Sequence, residues 1–89
     1  MIPYGRQSVS QEDIDAVISV LNSDWLTQGP VVPKFEQAVA DYCGARFGIA
    51  VNSATSALHI ALMALDVGKG DIVWTSPNTF VASANAALY

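Results

Sequence analysis

Apolar positions recur at helical spacing in some stretches of this chain and run together in others. Ile14, Val17, Ile18 and Leu21 recur at i, i+3, i+4 and i+7, the stripe of an amphipathic helix. Ser10 precedes that stripe as a natural N-cap, and Asp13 follows three residues on, close to a capping box. The helix is expected to stop near Asn22-Ser23. Asp24-Trp25-Leu26-Thr27-Gln28-Gly29-Pro30 is then a loop punctuated by Gly-Pro. A second stripe follows at Phe35, Ala38, Val39 and Tyr42, with Pro33 placed as a first helical residue and Gly44 as the stop.

Beyond Gly44 the pattern changes. Gly48-Ile49-Ala50-Val51-Asn52 is a short apolar run of the kind found in buried strands. Ser53 caps a third helix to about Leu65, whose apolar residues extend nearly all round and predict burial. Gly68-Lys69-Gly70-Asp71 makes a turn, and Ile72-Val73-Trp74-Thr75 a second strand. Pro77-Asn78 breaks that strand; Thr79 is placed to cap a fourth helix from Phe80 onward. Strand–helix–strand–helix after two helices marks an α/β unit. Trp74 is expected inside a buried strand, and Cys43 as a small buried hydrophobe.

Composition narrows the picture. Hydrophobic residues make up 52% of the 89 and charged residues 13%, about half the usual charged share. A chain this short hides only about 60% of its unfolded surface. It therefore carries more apolar surface than it needs for its own core, and is expected to be a piece of a larger domain, poorly folded and inactive alone. A net charge of -4, with Arg6, Lys34, Arg46 and Lys69 the only cations, argues against a nucleic-acid surface. One cysteine forms no internal disulfide. The opening Ile2-Pro3-Tyr4-Gly5-Arg6 lacks the order of a signal peptide, and no apolar run approaches a membrane span of about 20 residues. A cytoplasmic protein is expected.

The candidate chemistry lies at Val51-Asn52-Ser53-Ala54-Thr55-Ser56-Ala57, where small residues and hydroxyls meet the start of a helix. First-turn amides lack internal partners and carry the positive end of the helix dipole. Small side chains let a phosphate approach them. The same residues also suit a plain helix cap, and neither a P-loop nor a dinucleotide fingerprint is present. Spacing alone leaves both readings open. No lysine here is suited to covalent catalysis: Lys34 opens a solvated helix, and Lys69 lies in a glycine-rich turn.

Three segments resemble, in order and spacing, the DegT-type sugar aminotransferases, which are fold-type I pyridoxal-phosphate enzymes. They are Asp24–Pro30, Asn52-Ser53-Ala54-Thr55-Ser56-Ala57-Leu58-His59, and Thr75-Ser76-Pro77-Asn78-Thr79-Phe80-Val81-Ala82-Ser83-Ala84-Asn85. The resemblance implies the N-terminal part of that fold's large domain, α/β in class, with helices preceding it. It implies pyridoxal 5'-phosphate as cofactor, its phosphate held at Ala54, Thr55 and Ser56 and its ring covered by Phe80. Sugar-nucleotide contacts fall on Tyr4, Asp24, Trp25, Leu26 and Thr27. The implied reaction aminates a UDP-linked 4-keto-6-deoxy-N-acetylhexosamine from L-glutamate in a homodimer. The catalytic lysine, and the aspartate facing the pyridine nitrogen, would come later in the chain, and further strands would separate the two seen here.

Bland roles stay open beside these: core packing for Phe80, a core-edge plug for Trp25 and Leu26, a turn for Thr27, a structural or interface role for His59. So do other activities. A 3-keto-sugar aminotransferase, a dehydratase with histidine in place of the lysine, and a non-catalytic α/β assembly module all share this stretch of pattern.

Overall fold

The computed structural model describes residues 2–89 and places them in two units, one ending at Ala50 and one spanning Val51–Tyr89. In the first unit, α1 runs Gln11–Leu21 and α2 runs Val31–Cys43. Ser10 caps α1 with the full reciprocal box: its hydroxyl accepts the Asp13 amide at 3.2 Å, and the Asp13 carboxylate accepts the Ser10 amide at 2.8 Å. Helix α2 begins two residues before the expected Pro33, with Pro30 at its cap position and no side-chain cap.

Gly44 ends α2 in the left-handed region at φ 67. Its amide reaches the Asp41 carbonyl, and the Ala45 amide reaches Ala40. That crossed pair is a Schellman motif, which glycine adopts without steric cost. The expected stripe of α2 is not the face that is covered. Ala40 is buried, and Glu36, one turn back, is half-buried; Phe35 and Tyr42 stay exposed. The Glu36–Ala40 row faces the returning chain, where Glu36 accepts the Ala50 amide at 2.8 Å.

In the second unit, α3 spans Ala54–Ala64 and α4 spans Ala82–Asn85, followed by a 3-10 turn at Ala86–Leu88. Helix α3 ends in the same crossed hydrogen bonds, Asp66 to Met63 and Val67 to Leu62, but with Asp66 at φ 56 where glycine is usual. The turn after it holds Gly70 at φ 98, and Gly68 donates to the Asp71 carboxylate at 2.7 Å. A type II turn needs that positive φ at its third residue. Ala82 and Ala86 are buried where α4 and the 3-10 turn meet α3. His59 meets Tyr89 edge-on, ring centroids 5.3 Å apart.

Several expectations need correction. Among the described residues neither Gly48–Asn52 nor Ile72–Thr75 forms a strand, and the regular elements present are all helical, so the expected α/β pattern is not seen. A strand exists only when its amides and carbonyls find a neighbouring chain. The first segment spends one amide on the Glu36 carboxylate, and the second makes no ladder bond. Trp74 is 93% exposed, not buried, because its segment has no sheet to join. Helix α3 is not enclosed, and Cys43 lies exposed at the end of α2. Thr79 does not cap α4. Its hydroxyl pairs with that of Ser83 at 3.2 Å, while Val81 occupies the cap position without a side-chain acceptor.

Candidate functional site

The mouth of α3 is built by three side chains acting on one another. Ser53, extended at φ -159 and ψ 157, accepts the Ser56 amide on its hydroxyl at 3.1 Å. The Ser53 hydroxyl donates to the Ser56 hydroxyl at 3.0 Å, which in turn donates to Asn52 Oδ1 at 2.8 Å. The Ala57 amide is taken by the Ser53 carbonyl. This accounting leaves the amides of Ala54 and Thr55 with no partner among the described residues. They are the first two donors of the helix, where its dipole is strongest.

The two amides left over are those that the family resemblance assigns to a phosphate. Ala54 presents only a methyl group there. Thr55 is half-buried, with its hydroxyl outside the capping network. Ser56 differs from its neighbours: its hydroxyl proton is committed to Asn52, so it braces the turn instead of pointing a donor outward. Spacing did not distinguish Ser56 from Thr55, and Asn52 as the brace was not read from the sequence at all. An asparagine placed just ahead of a serine cap was the available signal, since short polar side chains at a helix start bond to their neighbours.

Phe80 lies in the same unit, just before the Val81 cap of α4, and is 74% exposed. Its carbonyl accepts the Ser83 amide at 3.0 Å, which anchors the backbone and leaves the ring face open. Two cavities of this unit lie elsewhere. One of about 40 Å³ sits beneath His59 and Tyr89, and one of about 560 Å³ runs along Val67–Asp71. Neither is lined by Thr55 or Phe80.

The remaining sequence candidates, Tyr4, Asp24, Trp25, Leu26 and Thr27, belong to the first unit and are all exposed. The Ser23 hydroxyl donates to the Val20 carbonyl at 2.6 Å and accepts the Trp25 amide at 3.3 Å, turning the chain sharply out of α1. Gln28 takes φ 52, and a Cβ at Gly29 would stand 2.7 Å from the Trp25 Cβ. Only glycine lets the loop fold back against Trp25. Trp25 is 60% exposed and plugs no core edge among the described residues.

Residues 7–89 match the DegT/DnrJ/EryC1/StrS aminotransferase family, and the chain belongs to it. Among curated relatives it is 49% identical over 88 residues to a UDP-4-amino-4,6-dideoxy-N-acetyl-beta-L-altrosamine transaminase of Campylobacter jejuni subsp. jejuni serotype O:23/36. Identity is 47% to the transaminase of the same name from serotype O:2, and 43% to the spore coat polysaccharide biosynthesis protein SpsC of Bacillus subtilis. Each alignment covers 99% of this chain but only 23% of the relative, so the chain spans about a quarter of their length. No solved structure gives a significant match.

Proposed function

We propose that this chain is the phosphate-gripping N-terminal part of a pyridoxal-phosphate-dependent sugar-nucleotide aminotransferase. The observation that carries the reading is the pair of unpartnered amides at Ala54 and Thr55 in a member of an aminotransferase family. A dianionic phosphate suits that mouth: it offers two amide donors, the dipole's positive end and the Thr55 hydroxyl, and Ala54 adds no bulk. Ser56 and Asn52 hold the turn in shape, and the open face of Phe80 suits a flat heterocycle. Held by Ala54, Thr55 and Phe80, pyridoxal phosphate would supply the chemistry for moving an amino group from L-glutamate to a keto sugar.

The substrate proposed is a UDP-4-keto-6-deoxy-N-acetylhexosamine, as in the pathway to pseudaminic acid, supported by the names of the Campylobacter relatives. Tyr4 and Asp24–Thr27 are assigned to the sugar nucleotide. The active protein is proposed to be a cytoplasmic homodimer; among the described residues no helix is long and apolar enough to cross a membrane.

The test is cofactor titration of the intact polypeptide that carries this chain. Thr55→Ala and Phe80→Ala should each weaken pyridoxal-phosphate binding, by about 1–3 kcal/mol for the lost phosphate contact. Unchanged affinity in both variants would favour a non-catalytic assembly module, in which the serine-rich turn only caps a helix.

A further inference from the structure

Glu36 and Gly48 form a contact that no motif explains. The Glu36 carboxylate reaches 14 residues along the chain to accept the Ala50 amide at 2.8 Å. Separately, a Cβ at Gly48 would collide with the Glu36 main-chain carbonyl oxygen, so glycine is what lets the returning chain lie against α2. Both residues are half-buried, unlike most of this unit. A backbone approach and a charge-assisted hydrogen bond thus grip the same three residues, Gly48–Ala50.

Those residues are the run-up to the phosphate turn. Ala50 stands three positions before Ser53, with only Val51 and Asn52 between. Backbone held in one conformation at Ala50 leaves fewer residues to order when Ala54 and Thr55 close on a ligand. We propose that Glu36 is a positioning residue for the cofactor-phosphate turn, acting by holding the Ala50 amide and so restricting the backbone just ahead of that turn. This rests on the cofactor reading above. Glu36 touches no substrate; it works through the backbone.

The experiment uses the intact polypeptide in its cofactor-free form, with Glu36→Leu, Glu36→Gln and Glu36→Asp variants. Amide exchange at Ala50 is followed alongside titration with pyridoxal phosphate. Glu36→Leu should lose protection at Ala50 and bind the cofactor roughly three- to tenfold more weakly. Glu36→Gln, which keeps an acceptor oxygen at the same reach, should restore most of both. If Glu36→Leu does not fold, Glu36→Asp carries the test, since it keeps the charge and shortens the reach by one methylene. Wild-type affinity in Glu36→Leu or Glu36→Asp, or a Glu36→Gln no better than Glu36→Leu, would overturn the proposal. A wild-type protein that binds no pyridoxal phosphate would instead sink the cofactor reading, while the exchange arm still reports whether Glu36 holds Ala50.

Discussion

Asp13 and Ser10 show how much local order a few polar atoms impose. The Ser10 amide, and then the Ser10 hydroxyl, hold the Asp13 carboxyl below its ordinary value of 3.8. Glu12 is lowered from 4.5 mainly by its own backbone amide, with help from the Ser10 side chain. Both are depressed, so their support of α1 is fully present above the ordinary carboxylate values and fades as pH falls through the lower folded values. Acid titration should therefore fray α1 below about pH 4, and Asp13→Asn should flatten that response. Helical circular dichroism followed against pH reads both. Ser10→Ala should cost about 1 kcal/mol at neutral pH.

Single residues at the α3 mouth should also rank in order. The hydroxyl of Ser56 is spent on Asn52 while that of Thr55 is free. Thr55→Ala is thus expected to weaken cofactor binding more than Ser56→Ala, measured side by side. At the other end of α3, Asp66 pays a left-handed conformation that glycine would take freely. Asp66→Gly should raise the thermal midpoint of the intact protein, by the equivalent of about 1 kcal/mol.

At the scale of elements, the sequence announced what it could settle locally. The capping box at Ser10, the Ser53 cap and the Gly44 stop all stand where polar spacing put them, because each is decided within five residues. Thr79 does not mark the start of α4, since a cap needs its hydroxyl at the helix threshold and Val81 holds that place. The segments 48–52 and 72–75 kept their apolar character but not their pairing. Pairing belongs to partners remote in sequence, and composition cannot summon them. For the site, hydroxyls at a helix start were legible, but which amide stays free followed only from the Ser53–Ser56–Asn52 chain of bonds.

At the scale of the whole molecule, the side chains buried among the described residues are alanines: Ala40, Ala82 and Ala86. Large apolar residues on α1, α2 and α3 remain open, and off the helices Ile72 and Trp74 are exposed as well. Both tryptophans of the isolated chain, Trp25 and Trp74, should be quenched freely by acrylamide and emit at long wavelength. The longer polypeptide should shield at least Trp74. Equal quenching in both would mean that this surface is native.

A scaffold whose interior is methyl groups has little to lose on heating. Its hydrogen-bonded turns open one at a time, each with its own small enthalpy, and no large packed unit gives way together. A calorimeter should trace a sloping baseline for these 89 residues alone, where a longer, fully packed polypeptide gives a peak.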